Sequence, residues 1–348
     1  MSFRKRVLVT GGAGFIAHHV IDHFLKTTDW EIVSLDRLDY SGNLNRLHNL
    51  VSQHSKENQK RVKIVWHDLK SEISELTRSF IGHVDVIMHL AASSHVDRSI
   101  SNPMEFCMDN TVGTVNLLNY ARTIPNLERF IYFSTDEVFG PAPNGILYKE
   151  RDRYNSTNPY SASKAAGEEF CVAFENTYNL PIYITHTMNV FGERQHPEKF
   201  IPMCIRKIND GETVTIHSDP TKTIPGSRFY IHARDVAEAM HFLLHLNDAQ
   251  KAIVAERDAG GAKCPKFNVV GKEEIDNLSL AKAIAEAEGK ELKYDMIDFH
   301  SSRPGHDLRY GLDGNFMRDL GWEPKLTLKE RIKEVVDWSL ANKEWISI

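Results

Sequence analysis

The chain has 348 residues, longer than a minimal domain and long enough to bury a large core without disulfides. Hydrophobic residues make up 41% and charged residues 26%, which excludes a disordered chain, a coiled coil and a collagen-like repeat. The 42 basic and 47 acidic side chains give a formal charge of −5, so we expect no nucleic-acid partner.

The cysteines are few and far apart. Cys107, Cys171, Cys204 and Cys264 form no closely spaced pair, so neither a structural zinc site nor a disulfide framework is predicted. The sequence shows no signal-peptide pattern and no apolar run of about 18 residues. We therefore expect a cytoplasmic protein with no membrane partner.

In the first half, short apolar runs alternate with helical patterns, as in βαβ units with a parallel sheet covered on both faces. The predicted strands are Val7–Thr10, Glu31–Asp36, Val62–Trp66, Val84–Leu90, Arg129–Ser134 and Ile182–His186. The predicted helices include Phe15–Lys26, Pro103–Arg122 and Tyr160–Tyr178. The expected fold class is α/β, a Rossmann-type doubly wound parallel sheet followed by a smaller mixed α/β region.

Beyond about residue 190 prolines become frequent and the alternation loosens. We place the boundary between the two regions at 1–188 and 189–348, and expect the sheet also to receive segments around 226–246. Two helices close the chain: Leu278–Gly289, and one that opens at the capping box Thr327-Leu328-Lys329-Glu330.

A glycine-rich turn joins the first predicted strand to its helix. The run Thr10 to Ala17 reads TGGAGFIA, in which Gly11 and Gly14 allow the backbone to approach a pyrophosphate at a helix N-terminus. A plain tight turn is the alternative. Asp36 ends the second strand 22 residues after Gly14, where an acid that binds ribose hydroxyls is expected.

The acid also bears on the choice of dinucleotide. A carboxylate at Asp36 accepts hydrogen bonds from ribose hydroxyls and repels a 2′-phosphate, which favours NAD over NADP. The adjacent Arg37 is the feature that favours NADP, because arginine accommodates that phosphate.

Tyr160 and Lys164 open a predicted helix with a spacing of four, which places them on one face. A phenol ordinarily titrates near pH 10. We expect the Lys164 ammonium to lower the pKa of Tyr160 so that it serves as a base, with Lys164 also holding the nicotinamide ribose. By itself this Tyr-Lys spacing is common by chance. In a chain that also carries a dinucleotide-binding motif, it indicates a catalytic pair.

These motifs together resemble the extended short-chain dehydrogenase/reductase superfamily. Further segments are similar to its nucleotide-sugar 4,6-dehydratases, above all the dTDP-glucose 4,6-dehydratases: Ala91 to Ser99, Ser134 to Gly140, Pro197-Glu198-Lys199 and Arg303 to Asp307. The likeness runs from residue 5 to about residue 340. It implies NAD as cofactor, a nucleotide-sugar substrate, a substrate-binding region at 189–348 and a homodimer.

The resemblance implies roles for three consecutive residues after the fifth strand. Glu137 is the base that takes the C5 proton of a 4-keto sugar, Asp136 is the acid that protonates the departing C6 hydroxyl, and Thr135 binds the 4-hydroxyl. Two neighbouring carboxyls in different environments are able to divide such roles. The alternative is a solvated loop that follows a strand.

The remaining site residues also follow from the resemblance. The implied cofactor contacts are Gly11, Gly14, Phe15, Ile16, Asp36, Asp68, Leu90, Ala91, Ala92, Tyr160 and Lys164. The implied substrate contacts are Ser94, His95, Asn189, Glu198, Lys199, Arg228, Arg303 and His306.

The chain departs from the family pattern near the expected substrate. The usual double asparagine reads Asn189-Val190, preceded by Thr187-Met188, Ser93 replaces a common acid, and Arg228 lacks its usual neighbours. These changes leave the identity of the nucleotide and of the sugar open, but they do not alter the predicted type of reaction. The alternatives are a 4-epimerase, a UDP-glucuronate decarboxylase, or a non-catalytic NAD-binding sensor.

No metal site is predicted. His19 and His23 share a helix face at a spacing that suits a metal, but the sequence offers no evident third ligand.

Overall fold

The computed structural model describes residues 4–39, 41–259, 264–298 and 309–347, and strands and helices alternate regularly up to residue 187. The strands of this half are β1 (Arg6–Thr10), β2 (Glu31–Asp36), β3 (Val62–Trp66), β4 (Val86–His89), β5 (Arg129–Thr135) and β6 (Ile182–Thr187). The helices are α1 (Phe15–Thr27), α2 (Leu44–Val51), α3 (Lys56–Gln59), α4 (Glu75–Ile81), α5 (Val96–Ser101), α6 (Pro103–Phe106), α7 (Gly113–Ala121) and α8 (Pro159–Tyr178).

The second half mixes shorter strands with helices. Its strands are β7 (Asn189–Phe191), β8 (Val214–Ser218), β9 (Ser227–His232), β10 (Lys266–Val269), β11 (Glu274–Asp276) and β12 (Tyr294–Asp298). Its helices are α9 (Phe200–Asn209), α10 (Ala233–Leu244), α11 (Asp248–Arg257), α12 (Asn277–Glu288), α13 (Asn315–Asp319) and α14 (Leu328–Ala341). The predicted capping box opens α14, with the Thr327 side chain accepting from the Glu330 amide.

A seven-stranded parallel sheet in the order β10-β6-β5-β4-β1-β2-β3 forms the centre of the molecule. Successive side chains on a strand point to opposite faces. Val7 and Val9 therefore pack with α1 and α10 on one face, and Leu8 packs with α7 on the other. The predicted doubly wound α/β fold is confirmed.

The seventh strand corrects one expectation. The segment around 226–246 does not enter this sheet: β9 pairs with β7 and β11 in a small sheet, and α10 packs against α1. The sheet instead takes β10, which pairs in parallel with β6. An apolar run has the same pattern in either sheet, so only tertiary packing distinguishes the two. The boundary at residue 188 stays a prediction.

The helix predicted over Pro103–Arg122 is helical throughout, but its middle turn, Cys107–Val112, is a π-helix. Single-turn π-bulges inside α-helices are frequent at functional sites. Here the bulge carries Asp109 and Asn110, both buried. Within the described residues, no helix is long and apolar enough to cross a bilayer.

Candidate active site

The carboxyl ends of the central strands open into a cleft of about 400 Å³. Strand order reverses between β1 and β4, and open α/β sheets bind ligands at such a switch point. The facing wall comes from the smaller region and includes Phe200 and Tyr230. The cleft therefore lies between the sheet and the second half of the chain.

The glycine-rich turn forms one end of the cleft. Gly11 has a φ of +69°, and a Cβ on it would lie 2.9 Å from the Ala91 Cα. Gly14 is the N-cap of α1, and a Cβ there would lie 2.8 Å from the Gly11 carbonyl oxygen. A side chain at either position would fill the space beside the helix N-terminus, so this cradle fits a dinucleotide pyrophosphate.

Asp36 lies beside the same turn. Its carboxylate accepts hydrogen bonds from the backbone amides of Ala13 (3.0 Å) and Leu38 (2.7 Å). Burial nevertheless raises its pKa. The carboxylate lines the cleft together with Asp68, so this end fits the adenosine ribose.

Thr135, Asp136 and Glu137 follow directly from β5 into a short 3₁₀ turn, Asp136–Phe139. The Thr135 hydroxyl donates to Asp136 Oδ1 at 3.0 Å. Asp136 is only 5% exposed, and among the described residues its Oδ2 has no hydrogen-bond partner. The pair lines the cleft. The alternative of a solvated loop is therefore wrong.

Both carboxyls of the pair hold protons more tightly than usual. Burial raises the pKa of Asp136 to about 6. Burial, followed by the charge of Asp136, raises the pKa of Glu137 to about 7. Two acids that interact this closely titrate as a unit. Between these values the pair holds about one proton and offers an acid and a base side by side.

Asn158 orients the second carboxyl. Its side-chain oxygen accepts from the Ser161 amide and caps α8, while its Nδ2 donates to Glu137 Oε2 at 3.0 Å. The donated bond opposes the rise in the Glu137 pKa. Sequence reasoning missed this residue, although Asn158 before Pro159 is a readable helix start.

Tyr160 and Lys164 both line the cleft, as their spacing predicted. Lys164 Nζ donates to the Phe133 carbonyl at 2.7 Å, and burial lowers its pKa to about 8. Burial and then the charge of Glu137 raise the pKa of Tyr160, while a hydrogen bond with Thr135 opposes the rise. The expected lowering by Lys164 is wrong for the protein alone, because burial and the neighbouring carboxylates set the pKa of Tyr160 and Lys164 is not among the groups that shift it.

A buried polar network lies behind Lys164. Glu168, one turn further along α8 and fully buried, accepts from the Ser134 hydroxyl and the Tyr154 hydroxyl. The His186 ring contacts it at 3.1 Å and Lys266 Nζ at 3.3 Å. Burial raises the pKa of Glu168, but His186, Lys266 and the Ser134 hydroxyl outweigh it and lower that pKa to about 2.

The substrate side carries charges of both signs. Glu198 Oε2 lies 3.9 Å from His95 Nε2 and 3.8 Å from Arg98 Nη2. Lys199 is the N-cap of α9 and lines the cleft. Arg228 stacks over the Tyr310 ring at 4.8 Å, and its charge lowers the pKa values of the acid pair.

The structure brings the predicted site together. Among the described residues, every predicted catalytic, cofactor and substrate residue lines the cleft except Arg228. The predicted contacts Arg303 and His306 lie outside the described residues. Besides Asn158, sequence reasoning missed Asn110, whose Nδ2 donates to Ser163 Oγ on α8 at 2.9 Å. No sequence signal points to that contact, because the π-helix that aims Asn110 is not readable from the pattern.

The histidines of α1 serve packing. His23 Nε2 lies 3.1 Å from His241 Nδ1 on α10, and His19 Nε2 lies 3.1 Å from the Glu193 carbonyl oxygen. In the part of the chain that the structure describes, no group of three or more suitable side chains is placed to hold a metal ion.

The fold and the site define a dinucleotide-dependent enzyme of the extended short-chain dehydrogenase/reductase type. The profile of the GDP-mannose 4,6 dehydratase family matches residues 8–335, and the chain belongs to this family.

Similar proteins agree with this assignment. The dTDP-glucose 4,6-dehydratase of Salmonella typhimurium is 35% identical, over 98% of this chain and 94% of its own. The crystal structure of DesIV, a dTDP-glucose 4,6-dehydratase from Streptomyces venezuelae with NAD and dTDP bound, is 31% identical. It has a TM-score of 0.80 and covers 98% of both chains. The Thermus thermophilus UDP-glucose 4-epimerase, in complex with NAD, is 28% identical with a TM-score of 0.78, over 95% of this chain and 98% of its own.

Proposed function

We propose that the protein is a nucleotide-sugar 4,6-dehydratase, a hydro-lyase that converts dTDP-glucose or a related nucleoside diphosphate hexose to the 4-keto-6-deoxy sugar. The observation that carries this proposal is the pair of buried Asp136 and half-buried Glu137, which shares one cleft with Tyr160 and the glycine turn. Elimination of water needs an acid and a base together, and the pair supplies both.

The cofactor we propose is NAD, held by the glycine turn, Asp36, Tyr160 and Lys164. Bound there, NAD would supply a hydride acceptor for C4 of the sugar and, once reduced, a hydride donor for C6, so that each turnover would end without net redox change. The cleft fits this cofactor, because the turn at Gly11 and Gly14 leaves room for the pyrophosphate and the buried carboxylate of Asp36 lies at the ribose end.

Side chains in the cleft carry out the proton transfers of the reaction. Tyr160, whose pKa is raised in the protein alone, would take the proton of the C4 hydroxyl once the positive nicotinamide ring lies beside it, with the hydroxyl of Thr135 also in contact. The resulting C4 carbonyl acidifies the C5 hydrogen, which Glu137 removes in its ionised form. Because Asp136 has the lower pKa of the pair, the shared proton must pass from Glu137 to Asp136 before this step. Asp136 protonates the C6 hydroxyl as it leaves as water, and Glu137 returns a proton to C5 when hydride reaches C6. The charge of Arg228 favours the ionised forms of the pair, and Asn158 holds Glu137 in position.

The diphosphate of the substrate carries negative charge into an acidic protein. We assign it to Lys199 and the N-terminus of α9, where backbone amides and the side chain supply positive charge. Ser94, His95, Asn189 and Glu198 line the same part of the cleft and are the proposed sugar and nucleotide contacts. A homodimer and a cytoplasmic location stay predictions.

The test is incubation with glucose linked to dTDP, UDP, GDP and CDP, in light and in heavy water, followed by mass spectrometry. We expect one of these sugars to lose one water and to gain one deuteron at C5 in heavy water. Glu137→Gln abolishes this product, whereas Glu291→Gln, a change at an exposed site, retains it. C4 inversion without loss of water contradicts the proposal and favours a 4-epimerase. Full formation of the dehydrated product by Glu137→Gln contradicts the assignment of Glu137 as the base.

A further inference from the structure

Arg37 follows the ribose-binding acid directly, in the position where an arginine accommodates a 2′-phosphate. In the structure its guanidinium turns to a carboxylate of the π-helix. Nη1 lies 2.5 Å from Asp109 Oδ1, and Nη2 lies 2.8 Å from Asp109 Oδ2. This is a two-bond fork, the arrangement that gives the strongest pairing of arginine with a carboxylate.

Other acids complete the neutralisation of this arginine. Asp39 Oδ2 accepts from Arg37 Nε at 2.8 Å, and Asp68 Oδ1 lies 3.8 Å from Nη1. Lys70 Nζ, the other cation in this network, lies 3.4 Å from Asp68 and 3.8 Å from Asp109. With Arg46, which lines the same end, three cations (Arg37, Arg46 and Lys70) face four acids (Asp36, Asp39, Asp68 and Asp109), so the acids at the adenosine end outnumber the cations by one.

Asp109 is held in this position from its own side. It is 9% exposed, and its Oδ2 also accepts from Ser93 Oγ at 2.6 Å. Arg46, a further cation that lines this end, donates to the carbonyls of Ser41 and Arg194 at 2.5 and 2.9 Å. Both arginines near the ribose end therefore already have acceptors in the protein.

We propose that Asp109 determines dinucleotide choice, by holding Arg37 in a bidentate pair and so withholding it from a 2′-phosphate. Discrimination is a difference between two affinities, and here it comes from removing the cation that the phosphorylated dinucleotide requires. The inference rests on the proposed NAD site and adds to it a residue far from Asp36 in sequence. No motif at the second strand reveals it.

The test compares the affinities of the purified protein, freed of bound dinucleotide, for NAD⁺ and NADP⁺ by titration calorimetry. Dinucleotides that co-purify with the untreated protein are identified by chromatography after denaturation. In Asp109→Asn we expect the affinity for NADP⁺ relative to NAD⁺ to rise about tenfold or more, the scale of a hydrogen bond to a charged group. Adding Arg37→Ala to this variant removes the gain.

Asp248→Asn, on an exposed helix start, controls for the change in net charge and leaves the ratio unchanged. Asp109→Ser gives the same comparison if Asp109→Asn does not fold. A ratio within twofold of wild type in the folded variant, or a gain that survives Arg37→Ala, overturns the inference alone. A wild-type protein that binds neither dinucleotide overturns the NAD site as well.

Discussion

The amide of Asn158 donates to Glu137 at 3.0 Å while the carbonyl of the same side chain caps the helix that carries Tyr160. One residue therefore sets both the position of the proposed base and the start of the catalytic helix. A change that alters one of these bonds and keeps the other separates the two roles.

Asn158→Asp keeps the capping acceptor and replaces the donor with a negative charge. The pKa of Glu137 then rises above about 7, because a bond that lowers it is lost and a like charge is added. The acidic limb of the kcat/KM profile, on which activity rises as Glu137 ionises, moves to higher pH, and kcat/KM at pH 7 falls roughly tenfold to hundredfold. Asn247→Asp, which alters the capping box of α11, leaves the profile unchanged. An unshifted profile in Asn158→Asp contradicts the role of Asn158.

Glu137→Gln is expected to stabilise the fold above neutral pH. A carboxyl whose pKa is raised in the folded state destabilises that state as the pH rises from its ordinary value of 4.5 to about 7. At pH 8 the substitution is expected to raise the free energy of unfolding by about 2 kcal/mol. This is less than the full pKa shift of Glu137 implies, because Glu137 is partly exposed to the cleft. Urea unfolding at pH 8 and pH 4 measures it. An equal effect at both pH values would rule out the assigned burial.

Glu168→Gln has the opposite effect on stability. Glu168 has a lowered pKa, so its pairing stabilises the fold above the ordinary value of 4.5 and loses that effect as the pH falls toward about 2. Breaking a buried pair by removing one partner costs about 3 kcal/mol. Unfolding in urea is expected to show that Glu168→Gln lowers the free energy of unfolding at pH 7 and lowers it by a smaller amount at pH 3.5. Glu169→Gln, the exposed neighbour, shows no comparable loss.

Gly11→Ala tests the cradle. Both Gly11 and Gly145 have positive φ angles, +69° and +80°, so alanine is strained at either site by about 1 kcal/mol. Only at Gly11 does the new Cβ meet backbone, since nothing lies within 4 Å at Gly145. We expect Gly11→Ala to purify without dinucleotide and Gly145→Ala to retain it, as measured by absorbance after denaturation. Equal retention in the two variants would contradict the site.

Local patterns predicted most of the fold. The bounds of β2 and β3 match the prediction. β2 is a short apolar run that is buried almost throughout, whereas β3 is the edge strand and leaves Ile64 and Trp66 exposed. The sequence predicted the glycine turn, Asp36 and the Tyr160 helix correctly. Each of these motifs consists of residues that lie close together in the sequence and that suit a particular backbone conformation.

Contacts between distant segments were not readable. The fork between Arg37 and Asp109 joins residues 72 positions apart and depends on a π-helix that has no sequence signature. The charge state of Tyr160 was misjudged for a related reason: spacing placed Lys164 on the same face but did not reveal the burial around the phenol. Strand β10 went unnoticed because four residues are too few to show a period.

The arrival of β10 from residues 266–269 has a consequence for biosynthesis. Strand β6 pairs with β10 only after some eighty further residues have been synthesised. Until then, the outer edge of β6 presents backbone amides and carbonyls that have no strand to pair with. A polypeptide cut at the apparent junction would expose that edge permanently. The central sheet is thus completed by a strand from the second half, so the two halves share one sheet.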